Sequence, residues 1–239
     1  MRKAILAGMA AAVAVAACGS ARSENGGPTV ERNYAVGNFD RMELAGNYDV
    51  TVHTGAKASV HARGAEKTME RLVVEVRNGV LIIEPKKHSG FNWGSSHGKV
   101  TVDVTVPSLR GAQLAGAGNV RIDQVKGDRF EGDIAGAGDL TLDRVEVGAL
   151  KLGVAGAGNA KLGTGRVQTA EYEIVGSGGI DAAGVAAETA SISIAGAGDV
   201  KANAAKTADV DIMGSGDVDL KGGAKCTISK AGAGDVRCS

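Results

Sequence analysis

The sequence predicts an all-β fold, a parallel β-helix-like solenoid of about 18–20-residue coils with an N-terminal β section that contains a hairpin. A heptapeptide, Leu-Ala-Gly-Ala-Gly-Asn-Val at residues 114–120, returns with start-to-start spacings of 20, 20, 20, 20, 18 and 18 residues. A fixed period in this range is typical of a solenoid whose units stack. Apolar and polar residues alternate around each copy, which predicts strands. The later copies start at Ile134, Val154, Ile174, Ile194, Ile212 and Lys230.

Residues 1–17 have the features of a signal peptide: Arg2 and Lys3 precede a short apolar run and small residues. The run ends Val-Ala-Ala-Cys18, which resembles the lipobox of bacterial lipoproteins. This resemblance implies that Cys18 is lipidated and becomes the mature N-terminus. The alternative is an ordinary signal peptide with an incidental cysteine. Gly19 follows instead of the Asp that favours inner-membrane retention, so we expect attachment to the outer membrane, on its periplasmic or surface face.

Residues 18–30 then form the lipidated cysteine and a flexible linker rich in Gly and Ser. The whole chain has 27 basic and 27 acidic residues and no basic block, which argues against nucleic acid as a partner. The expected partners are the membrane, through the lipid anchor, and an unidentified protein or glycan. The sequence does not specify an oligomeric state.

Residues 31–110 form the N-terminal β section, which lacks the 20-residue period. Residues 44–50 look like a degenerate copy of the heptapeptide. Residues 72–76 and 80–84 alternate in polarity and flank Asn78-Gly79, a pair that suits a type I′ hairpin turn. Because the end of a solenoid exposes unpaired strand edges, this section is expected to be a cap or a set of wider coils.

Residues 111–239 form the repetitive part, in which each unit is predicted to be a strand, a tight glycine corner and a second strand, with four or five aliphatic side chains inside. The paired corner glycines fit a turn that needs positive φ or close backbone approach. A phosphate-binding loop is the alternative, but no helix is predicted to follow it. The structural glycines are Gly116, Gly118, Gly136, Gly138, Gly156, Gly158, Gly176, Gly178, Gly196, Gly198, Gly214, Gly216, Gly232 and Gly234.

A column of acids and amides follows the corners. Turn chemistry explains these residues, because Asp and Asn bond to local backbone. Calcium is the functional alternative, since hard cations prefer clustered oxygen ligands. However, calcium-binding rolls have a nine-residue repeat with one residue between Gly and Asp, and here the acid or amide directly follows Gly. The residues are Asn119, Asp139, Asn159, Asp199, Asp217 and Asp235.

Two further features lie outside the regular repeat. Cys226 and Cys238 flank the last corner at inward positions, and an exported setting favours a disulfide between them, with two free core thiols as the alternative. The polar stretch 86–99 carries Phe91 and Trp93, a candidate binding loop. Its histidines, His88 and His97, lack a third ligand at a suitable spacing, so no metal or cofactor is predicted.

Copies of Ala-Gly-Ala-Gly-Asp-Val and Gly-Ser-Gly-Asp-Val, preceded by a Val-rich segment that ends Thr-Val-Pro-Ser-Leu109 and placed behind a lipobox, resemble the GIN domain, the family of auto-transporter adhesin head domains. The resemblance extends from about Val36 to the C-terminus. It implies a β-helix-like fold at the cell envelope and a role in adhesion. The family supplies no catalytic residues.

The leading functional prediction is a non-catalytic envelope lipoprotein that presents a rigid β-solenoid for binding or adhesion. An architectural or regulatory periplasmic component that binds another envelope protein is the alternative. A carbohydrate-active β-helix enzyme ranks below both, because such enzymes gather carboxylates or basic residues in a groove, and the repeat predicts a smooth wall of small residues.

Overall fold

A computed structural model describes residues 27–86 and 99–239. In these ranges the chain forms one continuous sheet of seventeen strands and one short helix, α1 (Glu66–Met69). No helix of the described part is long and apolar enough to cross a membrane. The strands are β1 (Thr29–Tyr34), β2 (Arg41–Gly46), β3 (Asp49–Thr54), β4 (Ser59–Ala65), β5 (Leu72–Arg77), β6 (Val80–Pro85), β7 (Val100–Val106), β8 (Gly111–Gly116), β9 (Asn119–Gly136), β10 (Asp139–Gly156), β11 (Asn159–Gly176), β12 (Gly179–Asp181), β13 (Val185–Gly196), β14 (Asp199–Gly214), β15 (Val218–Lys221), β16 (Lys225–Gly232) and β17 (Val236–Cys238).

The repeats stack as parallel strands in the register that the period predicts. Leu140 of β10 pairs with Val120 of β9 on one side and with Ala160 of β11 on the other. Each coil therefore sits directly over the preceding coil, and equivalent side chains form columns along the solenoid. The predicted parallel β-solenoid is confirmed.

Each full coil has three walls rather than two strands. In the coil of β10, the parity of buried residues changes after Leu142 and again after Val147, and strand pairing is interrupted at Asp143 and Gly148. We call the resulting segments wall A (139–142), wall B (144–147) and wall C (149–155), and use the same names for their counterparts in other coils. The predicted number of inward aliphatic side chains per coil, four or five, was too low, because wall B contributes inward side chains of its own. The inward residues of this coil are Leu140, Leu142, Val145, Val147, Leu150, Leu152 and Val154.

The N-terminal section continues the same solenoid. Leu44 of β2 pairs with Leu114, Gly46 with Gly116, and Val50 of β3 with Val120. The degenerate heptapeptide copy at residues 44–50 is thus a corner in the same column. Strand β6 pairs in parallel with β2 on wall C, and β7 pairs in parallel with β3 on wall A.

Antiparallel strands close the N-terminal end. Strands β5 and β6 form the predicted hairpin, and Asn78 (φ 52°) and Gly79 (φ 79°) have the positive φ angles of a type I′ turn. Strand β4 pairs antiparallel with β7, and β1 pairs antiparallel with β4. Helix α1 buries Met69 completely. The section therefore supplies both a first coil and a cap.

The C-terminal end is closed by polar groups rather than by a cap of strands. Within the described residues β16 pairs only with β14, so Ile228, which lies in the column of the buried Ile192 and Val210, is 47% exposed. Lys230 occupies the core column of Ile194 and Ile212, and its Nζ donates a hydrogen bond to the carbonyl oxygen of Gly234 at 2.6 Å. An inward-pointing charge on an edge strand opposes pairing with another strand.

Candidate binding surface

The corner glycines are needed for two different reasons. The first glycine of each corner has positive φ, as at Gly136 (133°), and a Cβ there would also collide with the carbonyl oxygen of Gly116 in the coil below. The second glycine, as at Gly138, has no positive φ, but a Cβ would collide with the carbonyl oxygen of Gly118. The same contacts recur at each later corner.

The backbone amides of the corners are occupied. The amide of Ala137 donates to Gly116 O at 2.8 Å, and the equivalent amides of Ala157 and Ser177 donate to the corner below at 2.8 Å. A phosphate-binding loop needs free amides at a helix N-terminus, and a strand follows every one of these corners. The glycine motif therefore serves the stacking of coils.

The acids and amides after the corners bond along their own column. Asn159 Nδ2 donates to Asp139 Oδ1 at 3.0 Å, and the amide of Asp235 donates to Asp217 Oδ1 at 2.8 Å. These bonds join residues 20 and 18 positions apart in adjacent coils, whereas turn chemistry predicted bonds to the local backbone. Residues 27–86 and 99–239 contain no group of three or more His, Cys, Asp or Glu side chains arranged to hold a metal ion. The calcium alternative thus has no support from this column.

Cys226 and Cys238 are paired in the structure, with their Cα atoms 6.7 Å apart. The pair joins β16 to β17 across the last corner. Their environment differs from the expected one, because Cys226 is only half-buried and Cys238 is exposed. No further coil covers them in the described part of the chain. The pairing agrees with the disulfide that the sequence predicts, and the disulfide stays a prediction.

Several sequence-predicted residues lie outside the described residues: Cys18, His88, Phe91, Trp93 and His97. The flanks of the 86–99 stretch are nevertheless placed. Pro85 ends β6 on wall C and Val100 begins β7 on wall A, so the stretch connects the same two walls as every glycine corner. The Cδ atom of Pro85 lies 3.6 Å from the Cβ position of Gly46 in the next corner.

A groove of about 340 Å³ crosses the outer face of wall C near the closed end. Ala45, Ala115 and Ala135 share one column on β2, β8 and β9 and form the floor. The next column also lines the groove. It contains Ile82, Glu43, Gln113 and Asp133, on the adjacent strands β6, β2, β8 and β9.

Two of the three carboxylates of this groove, Glu43 and Asp133, form no ion pair within the described residues. Among the described residues, neither Glu43 nor Asp133 has an ion pair or a side-chain hydrogen bond. Partial burial raises the pKa of Asp133, the nearby carboxylates of Glu131 and Glu173 raise this pKa further, and Lys151 lowers it. The expectation of a smooth, small-residue wall is therefore wrong at this point, where the wall gathers acids around an apolar floor.

The fold and surface define a class of protein: a three-sided parallel β-solenoid whose corners are structural and whose outward side chains are not dictated by the stacking of coils. The sequence matches the family described as "Putative auto-transporter adhesin, head GIN domain" over residues 38–224, and the chain belongs to this family. The match spans both the N-terminal section and the repeats. The resemblance found in the sequence is confirmed.

Solved structures share this fold. A putative adhesin from Bacteroides fragilis is 24% identical with a TM-score of 0.79, and the alignment covers 89% of this chain and 97% of that one. A putative lipid-binding protein from Parabacteroides distasonis is 23% identical with a TM-score of 0.70, covering 90% and 98%. A putative adhesin from Parabacteroides merdae is 19% identical with a TM-score of 0.70, covering 89% and 96%. At these identities the likeness shows the fold. Comparison with curated proteins gives no match.

The cysteine pair gives the first prediction. Non-reducing peptide mapping of the exported protein is expected to recover Cys226 and Cys238 in one linked pair of peptides. Replacing both by Ser should increase hydrogen exchange in β16 and β17, because the terminal strands lose their cross-link. Exchange in β10 should stay unchanged. Two free thiols in the native protein would reject the disulfide.

Asp133 gives a second prediction. Because its pKa is raised in the folded state, ionised Asp133 destabilises the fold above that pKa, and this cost disappears as the pH falls below the unfolded pKa. Asp133→Asn should therefore raise the urea midpoint near neutral pH, and the gain should vanish at acidic pH. Asp211→Asn, in the same column but outside the groove, is the matched control. A gain that is equal at both pH values would contradict the assigned cause.

Proposed function

We propose that this chain is an exported, lipid-anchored envelope protein that presents its outer walls as a rigid, non-catalytic surface for binding or adhesion. The observation that carries the proposal is the separation of roles within each coil. Inward positions and corners are dictated by stacking, whereas outward positions are not, so the walls can carry a recognition surface without changing the fold. The family and the solved structures named for adhesion support the same role.

The geometry of the chain supports presentation away from a membrane. The described part begins at Gly27, immediately before β1 at the closed N-terminal end. A tether from Cys18 to Gly27 is nine residues long and reaches roughly 30 Å at full extension. With the anchor at Cys18, the closed end would face the membrane and the walls would project outward.

The alternative role, a periplasmic component that binds another envelope protein, uses the same surface and differs in location. The acid-lined groove on wall C favours neither location. An enzyme that acts on carbohydrate ranks lowest. The groove gathers Glu43, Glu84 and Asp133, but the described residues of its lining include no aromatic side chain to stack on a sugar, and Gln113 supplies the sole side-chain amide among them.

Anchoring and location can be tested together in intact cells. Wild-type protein should fractionate with the outer membrane, and Cys18→Ser should release it, because acyl chains supply the membrane affinity. A membrane-impermeant lysine reagent should label the wild-type protein on intact cells.

Ala17→Gly, which leaves Cys18 in place, controls for an effect of altering the signal region. If Cys18→Ser stays membrane-bound, the lipid anchor is wrong. Labelling that appears only after the outer membrane is permeabilised would replace adhesion with the periplasmic alternative.

A further inference from the structure

We propose that the groove on wall C binds an extended segment of a partner polypeptide that carries a lysine or arginine between apolar residues. The inference rests on the proposed binding role and names the class of partner. It depends on the shape of the groove, on the charges that line it, and on the contrast with the remaining wall surface.

The floor of the groove is apolar and its shape is set by small side chains. The wall has a depression between the neighbouring columns, because the side chains there are the small ones of Ala45, Ala115 and Ala135. Ile82 lies half-buried at one end of this depression. Apolar surface that stays accessible in a groove gains free energy when a ligand covers it. Apolar side chains on the partner would contact this floor.

The charges of the lining are of one sign. Glu43, Glu84 and Asp133 line the groove together with Gln113, and among the described residues its lining contains no lysine, arginine or histidine. Arg41 lines the adjoining pocket, which shares Glu43, Gln113 and Asp133 with the groove. Glu84 lies 3.8 Å from Arg77, which is outside the lining. Neither Glu43 nor Asp133 forms an ion pair within the described residues, and Lys151 acts on Asp133 at longer range.

Some carboxylates elsewhere on the walls face a cation in the adjacent coil. Asp143 pairs with Arg121 at 3.0 Å, Glu146 with Lys126 at 3.9 Å, and Glu171 with Lys151 at 2.7 Å. In the column of Asp133, by contrast, the next coil offers Gly153. A Cβ at Gly153 would lie 2.8 Å from Asp133 Oδ1, so the carboxylate occupies the space beside this glycine. A cation from outside the chain would supply the missing partner.

The dimensions favour an extended peptide. Glu43 and Asp133 are separated by two strand spacings, about 9.6 Å, which is close to the length of three residues in an extended chain. One central cation could therefore lie between the two carboxylates while its neighbours contact the alanine floor. The same acids repel anionic lipid headgroups. Charge thus selects a basic polypeptide over a membrane surface.

Hexapeptide libraries provide the probe. Three libraries are randomised at the flanking positions over Val, Thr, Ile and Ala and hold lysine, glutamine or glutamate at the third position. They are passed over the immobilised full chain, and retained peptide is measured by mass spectrometry. The lysine library should be retained roughly two- to fivefold more than the glutamine library, the range expected for partly exposed ion pairs.

Variants locate the site. The double variant Glu43→Gln/Asp133→Asn should lose the lysine preference, and Ala115→Lys should abolish retention by filling the groove with an internal cation. Asp211→Asn and Ala195→Lys lie in the same two columns outside the groove and should behave as wild type. A urea midpoint of each groove variant that is no lower than that of its control would show that loss of binding does not come from unfolding.

Several results would overturn the proposal. These are equal retention of the lysine and glutamine libraries, preference for the glutamate library, or a lysine preference that survives in the double variant. Binding to phosphatidylglycerol vesicles without a lysine preference would assign the groove to lipid. If the protein forms a dimer and Ala115→Lys dissociates that dimer, the groove binds a second copy of this chain. If no peptide library is retained while intact cells still show surface labelling, the groove assignment is wrong and the proposed function is unaffected.

Discussion

Close stacking of backbone on backbone at the glycine corners is the constraint on which the rest of the structure depends. At each corner the amide of one coil bonds to the carbonyl of the coil below, as from Ala137 to Gly116, and no Cβ fits between them. The corners thereby fix the register of all three walls. A coil of 18–20 residues buries too little surface to be stable alone, so stacking supplies both the hydrogen bonds and the core.

This constraint divides the chain into positions with different freedoms. Inward side chains must fill a narrow core, and corner residues must permit close approach, but outward side chains contact solvent and their column neighbours. Some of the outward charges are paired along columns, as Lys151 is with Glu171. In the wall C groove, Asp133 forms no ion pair among the described residues, and partial burial raises its pKa. A partly buried carboxylate without a close cation, beside an apolar groove, marks a candidate binding surface.

The period made the stacking and the corner column predictable from sequence, and Asn78-Gly79 made the hairpin predictable, because each depends on local backbone chemistry. The three walls were not predictable in the same way. The chain turns at Asp143 and Gly148 without a repeated motif, and the parity of burial changes there. The groove was also hidden, because Ile82, Glu43 and Gln113 become neighbours only through the strand order β6–β2–β8. Ile228 could not be predicted to be exposed either. It lies at an inward position of the repeat, but among the described residues no further coil covers β16.

The most direct test of the corner constraint compares the urea unfolding of Gly136→Ala and Gly127→Ala. Both glycines have positive φ, 133° and 140°, but a Cβ at Gly127 meets open space. Each substitution should cost about 1–2 kcal/mol for the backbone conformation. Gly136→Ala should lose roughly 1–3 kcal/mol more through collision with the coil below. Equal losses for the two variants would contradict the claim that close stacking at the corners holds the solenoid together.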